Sequence, residues 1–307
     1  MRDEKGLVIA KPTVVIHTND QQLVAAKVSA HSLKARSKHR DRFDVRIFRL
    51  EEVPELTRHE GEKFLWWEGS KSATWRKNDL QSFQLLRRMV PALLGYAGRA
   101  LVIDPDVFAV GDVYELLSRD MGGKAILCRE RPYRRDGQTL YSSAVMLLDC
   151  AQLGRWDPER EIEGLFSGQL HMGPLLSLLD VPPEDIGLFE KEWNDLDTLT
   201  SRTKLVHTTD VATQPWRTGL PTDHRGQVRR LPRWLAWSYL QTAYVLSGGR
   251  RKPLFPRRHP DPHQERLFLT LLDECLKTGE IKVDFLEDAV RKRHLRRDVL
   301  KRLRELE

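Results

Sequence analysis

The sequence predicts an α/β fold, a mixed and mostly parallel sheet flanked by helices, with a helical C-terminal extension. Three observations lead there. The chain opens with a strand, helix and strand in succession. It then carries the unbroken apolar run Ala100-Leu101-Val102-Ile103, which stops at Asp104-Pro105-Asp106-Val107-Phe108. Short apolar runs of this kind are strands buried on both faces, and in open α/β sheets ligands gather outside the carboxyl ends of such strands. Finally, 307 residues with 40% hydrophobic content suffice for a full core and an appendage.

Thr13 to His17 reads as strand one and ends in the polar corner Thr18-Asn19-Asp20, where Asn19 or Asp20 can cap the next helix. Leu23, Ala26, Val28, Ala30 and Leu33 supply the apolar face of that helix, which reaches Ser37. Phe43, Val45 and Ile47 alternate with polar residues as strand two. This opening lacks the glycine-rich turn of a dinucleotide fold, which argues against a nicotinamide enzyme. Residues 54–78 read as irregular, with Trp66, Trp67 and Trp75 either in a flap over a pocket or pinning a loop. A helix is predicted from Leu80 to Leu94, carrying Arg87 and Arg88.

Beyond the two acids, Val113 to Leu117 reads as a short helix, Lys124 to Cys128 as a strand and Arg129 to Arg135 as an arginine-rich loop. Tyr141 to Asp149 is a strand entered through the small polar pair Ser142-Ser143. Leu170 to Leu179 reads as helical and contains His171-Met172-Gly173. The Glu192-Trp193-Asn194 cluster precedes the strand Lys204 to His207, which leads into Gln214-Pro215-Trp216-Arg217. An aromatic-rich helix is predicted over Pro232 to Leu246, a linker over Arg250 to Pro262, and two helices over Gln264 to Thr278 and Val283 to Leu306.

The net charge of +7 resides in the tail. Arg291, Lys292, Arg293, Arg296, Arg297, Lys301, Arg302 and Arg304 face only Asp298 there, and the remainder is neutral. With Leu286, Val290, Leu300 and Leu303 on one side, segment 283–307 suits an anionic membrane surface or a partner, or equally an outer helix packed on the domain. No base-reading module accompanies the charge, so nucleic acid is not an expected partner. Three widely spaced cysteines, Cys128, Cys150 and Cys275, fit neither a disulfide framework nor a zinc knuckle and read as reduced thiols. The first fifteen residues lack the apolar core of a leader, and no run is long enough to span a membrane. The expected location is the cytoplasm, peripheral to the inner membrane face at most.

Asp104 and Asp106 are two residues apart, so in an extended chain both carboxylates face one side and can share a hard cation that also grips a phosphate. The competing reading is a strand-ending turn, because Asp and Pro favour turns. Taken together, the Asn-Asp corner, the arginine-bearing helix, the Asp-x-Asp strand end, Ser-Ser-Ala-Val-Met-Leu-Leu, Glu-Trp-Asn, and His followed by Pro-Trp are arranged in a recognisable order. Over residues 13 to 220 the sequence resembles glycosyltransferase family 8, retaining enzymes of the GT-A fold that use UDP-sugars and Mn²⁺.

The expected division is a GT-A-like catalytic domain over 1–249 and a basic helical extension over 250–307. The resemblance places Asp104, Asp106 and His207 on the metal, Mn²⁺ or alternatively Mg²⁺, and Thr18, Asn19 and Asp20 at the uridine and ribose. Arg87 falls at the donor sugar and diphosphate, and Ser142 and Ser143 stand where the family has Asn-Ala beside the sugar. Two departures stand out. Gln214 replaces the family's phosphate-contacting Lys, a charge that Arg217 could restore. His171-Met172-Gly173 replaces Asp-Gln-Asp or Asp-Gln-Gly, and Met172 cannot form a covalent glycosyl ester, so front-side transfer is implied. Each residue also has an ordinary reading: a structural His207, a solvated Arg87, strand-start serines, core Trp193 and a packing Trp216. The expectation is transfer of a hexose to a glycan, lipid or small-molecule acceptor. A nucleotidyltransferase and a catalytically silent sugar-nucleotide or polyanion-binding protein are the competing functions.

Overall fold

The computed structural model describes residues 11–220 and 257–306, with isolated positions between them. The predicted helix over Pro232 to Leu246 and the 249/250 boundary lie outside the described residues, as does the linker as far as residue 256. The chain divides into two compact units, one made of Met1–Asn78 and Ser82–His207, the other of Asp79–Gln81 and Thr208–Glu307.

In the first unit the strands are β1 (Thr13–Thr18), β2 (Asp44–Arg49), β3 (Lys63–Phe64), β4 (Ala73–Thr74), β5 (Arg99–Ile103), β6 (Val107–Ala109), β7 (Ile126–Arg135), β8 (Gln138–Asp149), β9 (Ile186–Leu188), β10 (Asp195–Leu196) and β11 (Leu205–His207). The main sheet has the order β2-β1-β5-β8-β7-β9. β1 runs parallel to β2 and β5, β7 runs parallel to β9, and β8 is antiparallel to both its neighbours. Val14, Val15 and Ile16 of β1 and Ala100 to Ile103 of β5 are fully buried, as continuous apolar runs in a two-sided sheet must be. Helix α1 (Leu23–Ala35) covers one face. Its Ser29 hydroxyl donates to the Val107 carbonyl, and Ser32 Oγ accepts from Ala109 N at 2.9 Å, so two small polar residues clip β6 to the helix.

The strand stops at the two acids, as expected, and a second strand follows. β5 ends at Ile103, and Val107 begins β6 in a second sheet of order β10-β11-β6. Pro105 has no N–H to continue the ladder, and Val107 N closes a turn onto the Asp104 carbonyl at 3.3 Å. The turn reading holds for these residues, and the turn leaves both acids at one strand end.

Other expectations are corrected. The stretch Arg129 to Arg135 is not a loop but the second half of β7, joined to β8 by Asp136-Gly137 with φ of 50° and 80°. Asp-Gly between two strands is the turn whose backbone twist matches a hairpin. Residues 54–78 hold α2 (Pro54–Thr57) and the β3–β4 hairpin. The Leu80 to Leu94 helix is shorter, with a 3-10 turn at Ser82–Leu85 leading into α3 (Leu86–Leu93). After α4 (Tyr114–Leu117), α5 (Pro158–Ser167) is additional to the predicted elements, although Asp157 caps it, Pro158 opens it and left-handed Gly168 closes it. Strand β9 is likewise additional. α6 (Met172–Leu176) is the only α-helix in the stretch Leu170 to Leu179.

The second unit holds α7 (Pro262–Lys277), α8 (Val283–Arg291) and α9 (Val299–Arg304). The single helix predicted from Val283 is thus broken, with Arg293 at a φ of 60°. The break turns Arg296 inward, where it pairs with Glu265 at 2.7 Å and Asp298 at 2.6 Å and donates to the Pro215 carbonyl. Trp216 is fully buried and tilts against Phe268, a packing role. Among the described residues no helix is long and apolar enough to cross a membrane.

Burial in the first unit has two measurable consequences. Arg88 is buried over Trp156 and pairs with Glu161 and Asp180, both at 2.6 Å. Burial holds the Glu161 carboxyl above its ordinary range even with Arg88 beside it. Removing the guanidinium strands that carboxylate, so Arg88→Met is expected to cost about 3–5 kcal/mol in urea unfolding. A raised native pKa means the folded state binds more protons than the unfolded one, so the loss should be larger near pH 8 than near pH 5. Burial also pushes the Cys128 and Cys150 thiols up to about 12. Neither should react with a thiol reagent at pH 8 until the protein is denatured.

Candidate functional site

The register of the main sheet assembles the site. Ile16 of β1 pairs with Ile103 of β5, so His17 and Thr18 continue along the same edge as Asp104. On the other flank Val145 of β8 pairs with Ile103, and Asp104 N donates to the Ala144 carbonyl at 2.9 Å. That brings Ser143 and Ser142 to the same edge. In the second sheet His207 pairs with Val107, one residue past Asp106. Three segments distant in sequence thereby meet outside the carboxyl end of β5.

Asp104, Asp106 and His207 offer ligand atoms that all lie within 4.8 Å of one another. His207 Nε2 is 3.3 Å from Asp106 Oδ1 and 3.8 Å from Asp104 Oδ2. Two atoms each roughly 2.1 Å from a common ion can be at most roughly 4.2 Å apart, so both separations suit a shared divalent cation. The donor set, two carboxylates and an imidazole, suits a first-row ion such as Mn²⁺, or Mg²⁺.

Asp104 divides its carboxylate. Oδ1 accepts from Arg87 at 2.6 Å and lies 2.8 Å from His17 Nε2, which leaves Oδ2 facing His207. Burial works to raise its pKa, yet the Arg87 guanidinium and the two imidazoles hold it well below the usual carboxylate range. Burial lowers the pKa of His17, whose fully buried ring stands against Asp104. At His207 burial acts in the same downward sense but is outweighed by Asp106 and Asp104, and its pKa is raised. Its Nδ1 meets Asn194 Oδ1 at 2.9 Å. An amide oxygen only accepts, so Nδ1 carries a proton and Nε2 is the atom that faces the two acids, donating to them when protonated and offering a lone pair when not. A lone pair aimed at two carboxylates requires a cation between them, either a metal ion or a proton.

Arg87 also donates to Ser143 Oγ at 2.7 Å, and Ser143 donates to the Leu176 carbonyl at 2.6 Å. Ser142 Oγ accepts from Asn194 Nδ2 at 3.3 Å, which fixes the amide that fixes His207. Thr18 and Asn19 are buried where β1 ends. The Asn19 side chain does not cap the following turn but donates to Lys77 O and Ser82 Oγ, both at 3.2 Å. Asp20 turns to Arg49. Gln214 and Arg217 belong to the second unit, where the Gln214 amide donates to the Thr208 carbonyl. Trp193 is buried. Sequence reasoning missed His17, whose partner is visible only once β1 and β5 are paired. It noted Asn194 within the Glu-Trp-Asn cluster without a role.

Within His171-Met172-Gly173, the glycine stands where a side chain has no room. Gly173 N donates to the Trp66 carbonyl at 2.7 Å, and a Cβ on Gly173 would meet Trp67 at 2.3 Å and that carbonyl at 2.6 Å. No side chain fits at this position while the tryptophan segment lies against α6.

No protein-family model matches the sequence, and no curated protein sequence matches it. Solved structures do resemble the chain. The apo form of the glycosyltransferase GlyE of Streptococcus pneumoniae TIGR4 is similar at 12% identity and a TM-score of 0.47 over 88% of this chain. This chain spans 64% of that protein's length. The galactosyltransferase LgtC, solved with donor and acceptor sugar analogues, is similar at 14% identity and a TM-score of 0.46, covering 79% of this chain and 97% of that one. Mouse xyloside xylosyltransferase 1 is similar at 11% identity and a TM-score of 0.41, covering 66% and 98%.

Proposed function

We propose that this chain is a metal-dependent glycosyltransferase of the GT-A type, similar to family 8, which moves a hexose from a UDP-sugar to a glycan, lipid or small-molecule acceptor with retention. The observation that carries the reading is the convergence of Asp104 Oδ2, Asp106 and His207 Nε2 beside the Arg87 guanidinium. Bound there, Mn²⁺ or Mg²⁺ would act as a Lewis acid toward the diphosphate that departs from the anomeric carbon. Arg87 supplies a fixed positive charge next to it. The guanidinium is already held by Asp104 and Ser143, so little reorganisation is needed as negative charge develops. Thr18, Asn19 and Asp20 take the uridine and ribose in this reading, Ser142 and Ser143 flank the sugar, and Arg217 stands in for the lysine that Gln214 replaces.

Buried Met172 and side-chain-free Gly173 supply no nucleophile. This supports transfer on the face the diphosphate leaves, through a short-lived oxocarbenium ion. Residues 1–249 form the catalytic domain in this proposal and 250–307 its extension, in a protein of the cytoplasm. Arg291, Lys292, Arg293, Arg297, Lys301 and Arg304 stay exposed when Arg296 turns inward, which supports peripheral contact with an anionic membrane.

Calorimetry with UDP, with and without Mn²⁺, is the first test: UDP binding that needs the metal is expected, and binding indifferent to both would overturn the reading. Asp106→Asn should abolish Mn²⁺-dependent hydrolysis of UDP-sugars while the circular dichroism spectrum stays unchanged. Loss of the amide that orients a ligating imidazole typically weakens metal binding by about 10- to 100-fold. Asn194→Ala is expected to weaken Mn²⁺ binding to that extent without altering the urea midpoint by more than a modest amount.

A further inference from the structure

The proposed reaction uses Arg87 but leaves a second guanidinium on the same flank unexplained. Arg131 lies in β7, in the irregular stretch where the pairing with β8 shifts register after Glu130. Its side chain is half-buried, open enough to be reached from solvent. Among the described residues its one hydrogen bond is long, 3.5 Å to Ser177 Oγ, and no carboxylate pairs with it. Ser177 directly follows Leu176, whose carbonyl accepts from Ser143, the residue that takes Arg87. Arg131 thus reaches the residue next to the carbonyl that holds Ser143, the partner of Arg87.

Their charges are also coupled. Burial and the positive charge of Arg87 lower the pKa of Arg131, and Asp104 acts in the opposite sense. The ion pair of Asp104 is made with Arg87, and among the described residues no carboxylate pairs directly with Arg131. A half-buried guanidinium beside another one is costly unless a ligand compensates it. The planar fork of N–H donors matches an oxyanion, carboxylate or phosphate, in two parallel bonds. The fully buried Ser177 hydroxyl accepts from this guanidinium and steadies it from the protein side.

We propose that Arg131, steadied by Ser177, forms an oxyanion subsite on the flank of the candidate metal centre and takes an acidic group of the substrate. The inference rests on the glycosyl-transfer reading. Two sources supply that chemistry: the diphosphate of the donor, or the carboxylate of an acidic transferred sugar.

Calorimetry in Mn²⁺ with UDP, UDP-glucose and UDP-glucuronate, on the full chain and on Arg131→Gln and Arg131→Lys, separates them. If the diphosphate is the ligand, Arg131→Gln should lose about tenfold or more in affinity for all three, and Arg131→Lys should recover part of it. If a sugar carboxylate is the ligand, the unsubstituted chain should prefer UDP-glucuronate to UDP-glucose, and Arg131→Gln should erase that preference while UDP binding holds. Should Arg131→Gln fail to fold, the preference of the unsubstituted chain and the Arg131→Lys affinities decide the matter. Affinities for all three within twofold of one another and unmoved by either substitution would overturn the subsite while leaving the transferase reading standing. Absence of any UDP binding by the unsubstituted chain would overturn both.

Discussion

The site depends on how Asp104 shares its two oxygens. One is taken by Arg87 and His17, both buried, and the other is left toward His207 and Asp106. A carboxylate this deep would hold a proton if burial acted alone; the guanidinium keeps it ionised. An ionised, immobile oxygen is what the proposed metal ligand requires, and Arg87 and His17 fix its direction. The same contacts hold Arg87, so the cation that would meet a departing diphosphate and the anion that would hold the metal position each other.

A second layer of contacts fixes the imidazole of the proposed site. His207 is set by Asn194, and Asn194 by Ser142, while Ser143 sets Arg87. The two adjacent serines of β8 therefore serve different halves of the site, because successive strand residues point to opposite sides. Adjacent arginines on α3 divide in a similar way. Arg87 reaches the site, and Arg88, turned through one helical step, enters a separate buried network with Glu161 and Asp180.

Much of the fold was legible because local pattern dictates it. The apolar runs of β1 and β5 and the stripe of α1 were read with nearly their observed limits, since each buries its own face whatever the neighbours are. The failures have physical causes. The β7–β8 hairpin was obscured by the arginines between Arg129 and Arg135, although Asp136-Gly137 carried the turn signal. The break between α8 and α9 depends on Arg296 finding Glu265 and Pro215, partners that charge counting along the tail does not reveal. In the site, the acids were visible as a pair in one strand end, and the proposed role of His207 came from resemblance.

By itself the sequence determined an α/β chain whose strand at residues 99–103 stops at two acids around a proline, because apolar periodicity and the missing proline N–H act over a few neighbouring residues. Only the tertiary structure decided that His17 and Arg87 seize one oxygen of Asp104, that His207 and Asn194 stand opposite, and that Gly173 must lack a side chain. Those outcomes arise from strand register and from the close approach of segments dozens of residues apart, and no local preference encodes either.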